Sequence, residues 1–139
     1  MRGFSLIELI IVIAIIMIIG VTATTFGAGT LLQNNLETDK GMLVSSLRKA
    51  QNYAMVKKNN LAWGMCLTGN VIRVFGGTCG APTIKDDYTI SNSTVISGLS
   101  TVTFSNLRGE PNTPQSITLT GNNKTITVSV NALGGIQIN

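Results

Sequence analysis

The chain has 139 residues, 44% hydrophobic and 12% charged, with a formal net charge of +4 at pH 7. It contains no histidine and only two cysteines, which excludes a His-based catalytic triad and the usual His/Cys zinc site. Low charge and many β-branched residues argue against disorder and favour a β-rich domain beside an apolar segment. We expect no cofactor, metal or catalytic residue, and the mild positive balance does not establish a nucleic-acid partner.

The N-terminal segment, residues 1–29, is the most informative part of the sequence. After Arg2, an almost unbroken apolar run covers residues 6–21, and Glu8 is its only charged residue. About 20 apolar helical residues cross the hydrocarbon core of a bilayer, so the run predicts a transmembrane helix. The short basic region and the missing Ala-x-Ala site argue against an ordinary secretory signal peptide. The alternative is a central core helix of a soluble protein.

The carboxylate of Glu8 is a candidate functional group. An ionised carboxylate in apolar surroundings costs several kcal/mol unless it is paired, and the apolar run contains no cation. The alternative is that Glu8 lies near the headgroups and extends toward them. Because Arg2 precedes the run, the positive-inside rule places the N-terminus in the cytoplasm and the remaining domain outside.

Residues 3–8, Gly-Phe-Ser-Leu-Ile-Glu, resemble the processing site of type IV prepilins and pseudopilins, a short basic leader followed by G|FxxxE. The resemblance implies that prepilin peptidase cuts between Gly3 and Phe4 and N-methylates Phe4. It also implies that Glu8 pairs with the terminal amine of a neighbouring subunit and sets the axial register of a filament. Many members of the family carry a proline deeper in the helix, where this chain has Thr24 and Thr25.

A second helical pattern extends over residues 31–58. Its apolar positions recur at helical spacing and predict one buried face: Leu36, Leu43, Leu47, Ala50 and Ala54. We predict one long helix, continuous or interrupted, whose second half packs on a sheet and which would extend roughly 80 Å if continuous. Glu37 and Lys40 have the spacing of an i,i+3 ion pair. The later cations lie around the helix and favour a solvated face over a nucleic-acid stripe: Arg48, Lys49, Lys57 and Lys58.

After residues 59–60 the apolar periodicity changes to two, which predicts β-strands. Residues 61–67 and 71–75 predict a hairpin around a turn at 68–70, with Trp63 in the core or against the helix. If the domain lies outside the cytoplasm, Cys66 and Cys79 are expected to form a disulfide that closes this hairpin. Two buried free thiols are the alternative.

Residues 80–98 have a less regular pattern, with short strands expected at 88–90 and 94–96. Asp86 and Asp87 favour a turn or a loop rim over a calcium loop, because further oxygen ligands at suitable spacing are missing. The C-terminal third alternates clearly, which predicts short antiparallel strands with one face of the sheet on the helix. Its alternating apolar positions are Val102, Phe104, Ile117, Leu119, Ile126, Val128, Val130, Ile136 and Ile138.

The order of these elements is similar to the GspH/FimT branch of the pilin family, the H-type pseudopilins and FimT-like minor pilins. The resemblance rests on residues 102–104 followed by Arg108 and Gly109, on the strand pair 116–119 and 125–130, and on the glycines at 134–135. It implies an α+β, type IV pilin-like fold, with a long N-terminal transmembrane helix packed on a C-terminal antiparallel β-sheet domain. The expected division is a leader (1–3), a transmembrane or filament-core helix (4–29), an amphipathic second half (30–60) and an extracytoplasmic β-rich domain (61–139).

The resemblance implies a structural subunit, not an enzyme, of a type IV pilus or a type II secretion pseudopilus, with a minor subunit favoured over a major one. The implied partners are prepilin peptidase, other pilin or pseudopilin subunits, the inner membrane, and the pilus or secretion assembly platform. An anchored enzyme is disfavoured, because the sequence has no nucleophile–base pair or metal constellation.

Nucleic acid is the alternative partner, as in a DNA-binding minor pilin for transformation. Some FimT-like members bind DNA through Gly-Arg-x-Arg, but residues 134–137 read Gly-Gly-Ile-Gln and lack both arginines. DNA binding would therefore require the fold to gather other cations: Lys57, Lys58, Arg73, Arg108 and Lys124.

Overall fold

The computed structural model describes residues 5–121 and 124–139, without the side chains of residues 21–31. The chain begins with a long helix, α1 (Leu6–Met55), followed by a short 3-10 turn (Lys58–Asn60). The strands that follow are β1 (Trp63–Thr68), β2 (Val71–Gly77), β3 (Pro82–Thr89), β4 (Val95–Ser97), β5 (Val102–Phe104), β6 (Gln115–Gly121), β7 (Lys124–Val130) and β8 (Ile136–Ile138).

Helix α1 is continuous over 50 residues, so of the two expected forms the uninterrupted one is found. It begins after Ser5, whose carbonyl oxygen accepts a hydrogen bond from the backbone N–H of Glu8 at 3.0 Å. It ends at Met55, and Lys57 follows with a left-handed φ of 47°. A left-handed residue cannot continue the helix, so the chain turns there toward β1.

The strands form two four-stranded antiparallel sheets, ordered β3–β2–β1–β5 and β4–β6–β7–β8. An α+β fold with an N-terminal helix packed on an antiparallel β-sheet domain is confirmed, and the domain contains two sheets. The sheets separate at β5, because the following loop folds back on its free edge. Phe104 forms a bridge with Pro111, and the N–H of Asn112 donates to the carbonyl of Thr103 at 2.8 Å.

The prediction of a turn or loop rim at Asp86 and Asp87 is wrong, because both residues lie inside β3. They pair in register with Val74 and Arg73 of β2. Successive strand residues face opposite sides, so the two carboxylates meet different cations. Asp86 lies 3.0 Å from Lys49, and Asp87 lies 2.7 Å from Arg73. These ion pairs stabilise a polar edge strand that hydrophobic periodicity cannot detect.

The core lies between α1 and the two sheets. The predicted helix face is confirmed, since each of its members is at most 1% exposed: Leu36, Leu43, Leu47, Ala50 and Ala54. Trp63, Met65 and Val102 cover this face from the first sheet, and Ile117 and Val128 from the second. Full burial of each large side chain contributes about 1.5–3 kcal/mol, so this face holds the helix on the domain.

The predicted disulfide is also present. Cys66 of β1 and Cys79, just after β2, are bonded, with their Cα atoms 6.3 Å apart. Cys66 is buried. The bond therefore ties the middle of β1 to the segment that leads from β2 into β3.

Candidate functional site

The first part of α1 exposes an apolar surface, which we call the apolar segment (Leu6 to Met17). Its large apolar side chains are 45–76% exposed, whereas Leu43 and Leu47 in the second half of the same helix are fully buried. A contiguous exposed apolar surface marks a site of contact with protein or lipid. The apolar segment is therefore the leading candidate for the assembly site.

The membrane span predicted from sequence covers residues 4–29. Gly3 and Phe4, the predicted cleavage and N-methylation positions, lie outside the described residues, as do the side chains from residue 21 onward in this span. Within the residues that are described, no helix is both long enough and apolar enough to cross a bilayer.

Glu8 lies in the first turn of α1 with its side chain exposed among the apolar residues. A carboxylate in the first turn is favoured by the positive end of the helix dipole. Among residues 5–121 and 124–139, no ion pair involves this carboxylate. Glu8 therefore presents an acceptor toward whatever covers the apolar segment.

A glutamine clamp ties the second half of α1 to two loops of the β domain. The side-chain amide of Gln51 donates to the carbonyl of Gly109 and to that of Gly134, each at 2.9 Å. Gly134 is buried and has a φ of 83°, a conformation that favours glycine. Sequence reasoning missed Gln51, whose only signal is a polar residue beside a buried apolar face.

A second polar contact, also missed, ties α1 to the loop between β3 and β4. Asp39 is 2% exposed, and its carboxylate oxygens accept hydrogen bonds from the backbone N–H of Ser91 at 3.2 and 3.3 Å. A buried carboxylate without partners would be strongly destabilising. Asp39 and Gln51 therefore fix the helix against opposite parts of the domain.

The carboxylates of β3 form ion pairs instead of a calcium site. Lys49 donates to the hydroxyl of Tyr88 at 2.7 Å and lies 3.0 Å from Asp86, and these two contacts raise the pKa of Lys49. Arg73 binds Asp87 through two nitrogens, at 2.7 and 2.9 Å. The hydrogen bonds from Arg73 lower the pKa of Asp87. The two ion pairs hold β3 against β2 and the helix.

The structure does not gather the five cations considered for nucleic-acid binding into one patch. Arg73 pairs with Asp87, Lys124 with Glu37 at 2.8 Å, and Arg108 with Glu110 at 3.7 Å. Lys57 follows the end of α1, roughly 27 Å along the helix from the turn that contacts Lys124. The side-chain amine of Lys58 lies 3.6 Å from the centre of the Tyr53 ring.

Glu37 provides a pH-dependent contact between α1 and β7. Hydrogen bonds from Lys124 and then Lys40 lower its pKa from 4.5 to about 2. A lowered carboxyl pKa stabilises the fold fully above the unfolded value, and the contribution is lost as pH falls through the folded value. We expect Glu37→Gln to lower the thermal midpoint near neutral pH, with a difference from wild type that shrinks between about pH 4.5 and about pH 2.

Thermal unfolding across this pH range checks the expectation for Glu37. Glu110→Gln is the matched control, because its carboxylate is 3.7 Å from the highly exposed Arg108. The Glu37 difference should also shrink at high salt, since the pair lies at the surface. A difference that stays constant down to about pH 2 would contradict the role of the charge.

Comparison with known families agrees with this geometry at both ends of the chain. Residues 1–24 match the prokaryotic N-terminal methylation motif, so the match covers the whole apolar segment, Glu8 included. Residues 42–134 match the family model of the type II transport protein GspH and so include the last part of α1, the disulfide and the glutamine clamp. No curated protein and no solved structure matched the chain. Because the second match covers two thirds of its length, the chain belongs to the GspH family, a branch of the type IV pilins and pseudopilins.

Proposed function

We propose that the chain is a pilin-like structural subunit that assembles through its N-terminal helix into a type II secretion pseudopilus or a type IV pilus, as a minor subunit. The observation that carries the proposal is the apolar segment, exposed at one end of a helix whose other end is buried in a folded domain. A helix of this kind can leave lipid and pack against the same helices of neighbouring subunits without losing its apolar surroundings. Membership of the GspH family supports the minor, pseudopilin-like role.

The proposal divides the chain into four parts. Residues 1–3 are a leader that prepilin peptidase removes between Gly3 and Phe4, and Phe4 becomes N-methylated. Residues 4–29 anchor the protein in the inner membrane by a single pass, residues 30–60 join the anchor to the domain, and residues 61–139 lie outside the cytoplasm. The match to the methylation motif supports the processing step. The disulfide supports an oxidising compartment for the domain, since such bonds are rare in the cytosol.

In the proposed filament, Glu8 accepts the terminal amine of the neighbouring subunit. Phe4 and Glu8 are four residues apart, about one helical turn or 6 Å of rise. An unpaired carboxylate inside an apolar bundle is costly, so only the axial offset that brings an amine to Glu8 is stable. The charge pair would therefore set the register, while the apolar side chains supply the packing.

Glu8→Ala is expected to be cleaved and N-methylated normally but to be absent from sheared filaments, because the partner amine loses its counter-charge. Intact mass and N-terminal sequencing of the membrane protein report processing, and immunodetection in the filament fraction reports assembly. Glu110→Ala is the matched control, since it removes a carboxylate far from the apolar segment, and it should assemble as wild type does.

Two results would contradict parts of this proposal. A wild-type chain that retains Met1 in membranes would reject processing by prepilin peptidase and, with it, the filament role. A processed Glu8→Ala chain that enters filaments as efficiently as Glu110→Ala would reject the register role of Glu8 while leaving the filament role intact.

A further inference from the structure

The two sheets have four edge strands, which differ in how they are protected from pairing with another chain. β3 carries Pro82 and the charged residues Lys85 and Asp87, features that discourage edge-to-edge pairing. The edge of β5 is covered by its own loop through the bridge of Phe104 to Pro111. By contrast, β4 reads Val-Ile-Ser and β8 reads Ile-Gln-Ile, with neither charge nor proline, and of these two edges it is β8 that lies beside a groove.

The hydrogen bonds of β8 show which of its backbone groups are free. Asn139 exchanges both backbone hydrogen bonds with Thr127 of β7, at 2.8 and 3.0 Å. In an antiparallel pair such hydrogen-bonded residues alternate with residues whose N–H and C=O point away. Ile136 and Ile138, the alternate residues of β8, therefore direct their backbone groups away from β7, toward the open edge.

Beside this edge, a groove of about 510 Å³ lies between Ile138 and the flank of α1. The groove is open at Gly41, where a Cβ atom would meet nothing within 4 Å. Its lining includes the apolar Val44, three cations and no carboxylate; the cations are Lys40, Arg48 and Lys49. Near the groove, Asp86 pairs with Lys49, and Glu37 is shared between Lys40 and Lys124. With Arg48 of the lining, these cations number four against two carboxylates, which leaves an excess of positive charge around the groove.

We propose that the open edge of β8 and this groove bind an extended, acidic segment of a different protein subunit, which adds to the second sheet as a fifth strand. Strand addition takes its affinity from backbone hydrogen bonds and its specificity from the side chains that alternate along the peptide. Here one face of the added strand would place its side chains against Val44, Lys40 and Arg48, and acidic side chains complement the two cations.

A second copy of this chain cannot provide such a segment. The chain has six acidic residues, and all of their side chains are described. Asp39 is buried, and Glu8 lies in a helix. The other four acidic residues are in ion pairs: Glu37, Asp86, Asp87 and Glu110. The occupant is therefore a different chain. This inference goes beyond the proposed filament role and does not depend on which filament the subunit joins.

The test uses the full chain in detergent micelles and a fluorescent octapeptide in which valine and glutamate alternate. We expect saturable binding by fluorescence anisotropy that weakens as salt is added, since the attraction is partly electrostatic. Hydrogen exchange of the Ile136 and Ile138 amides should slow on binding. The same peptide with lysine in place of glutamate is the charge control and should not bind. No binding of the glutamate peptide, or equal binding of the lysine peptide, would overturn the proposal.

Two variants test separately how charge and how backbone hydrogen bonds contribute to peptide binding. Arg48→Glu should weaken binding by at least roughly tenfold, because an attraction becomes a repulsion, whereas Lys85→Glu makes the same charge change on β3 and should not. Ile138→Pro removes an outward N–H without removing a β7–β8 hydrogen bond, and should weaken binding by roughly tenfold, with Ile138→Val as its control. Equal effects of Arg48→Glu and Lys85→Glu would overturn recognition of an acidic segment by the groove. Unchanged exchange of the Ile136 and Ile138 amides in the wild-type complex would overturn strand addition.

Discussion

Trp63→Ala is expected to destabilise the folded domain by about 3–5 kcal/mol, the usual cost of removing a large buried aromatic side chain. Trp63 is fully buried between the end of α1 and the first sheet. Its ring meets that of Tyr53 edge-on, with centroids 4.7 Å apart, and its indole N–H donates to the carbonyl of Lys58 at 2.8 Å. Alanine would leave a cavity where the helix turns into β1 and would remove both contacts.

Trp63→Phe separates the packing of the indole from its hydrogen bond. Phenylalanine keeps most of the apolar volume, so its cost should be smaller, about 1–2 kcal/mol. Since Trp63 is the only tryptophan, denaturant unfolding of the full chain in detergent must be followed by circular dichroism. If alanine and phenylalanine gave the same small loss, Trp63 would not be the main anchor between helix and sheet.

The elements predicted correctly from the sequence are those whose interacting residues lie close together in the chain. The buried face of α1 follows from helical spacing of apolar residues such as Leu43 and Leu47, because a helix repeats its faces within one segment. The β1–β2 hairpin follows from alternation on both sides of a short turn, and the disulfide from one cysteine within it and one just after it. In each case the relevant residues are close in the sequence, so no knowledge of the tertiary structure was needed.

The missed features depend on partners that are far away in the sequence. β3 is an edge strand whose inward Asp86 is neutralised by Lys49 on the helix, so its pattern did not resemble a strand. The separation into two sheets depends on the loop that covers the edge of β5, which apolar alternation cannot reveal. Asp39 resembles a surface residue of an amphipathic helix until the loop containing Ser91 covers it.

The features of the candidate site also fall into those that the sequence predicts and those that only the structure reveals. Gly3, Phe4 and Glu8 form a contiguous motif, so a resemblance can locate them, and their roles remain predictions. The apolar segment was expected from composition alone, but only the structure shows that it is exposed while the second half of the same helix is buried. The glutamine clamp and the open edge of β8 arise from tertiary packing, and no local sequence signal identifies them.

Gly134→Ala is the second large effect we expect, a loss of roughly 2–5 kcal/mol of folding free energy. At a φ of 83° an alanine has an unfavourable backbone conformation, which costs about 1–2 kcal/mol. Its Cβ would also lie 2.4 Å from the carbonyl oxygen of Gly109 and 2.5 Å from the side-chain nitrogen of Gln51. Backbone cannot yield as a flexible side chain does, so relief of these contacts adds roughly 1–3 kcal/mol.

Gly69→Ala is the matched control for the backbone term, because Gly69 also has a positive φ, 60°, and a Cβ there would meet nothing within 4 Å. Denaturant unfolding of both variants isolates the steric cost as the difference between them. Gln51→Ala removes one of the two obstructing groups, so the loss for Gln51→Ala with Gly134→Ala should be smaller than the sum of the single losses. Additive losses, or equal losses for the two glycine variants, would show that the clamp does not constrain Gly134. A sub-additive result would show that Gln51 and Gly134 act together where the second half of α1 meets the loops of the β domain.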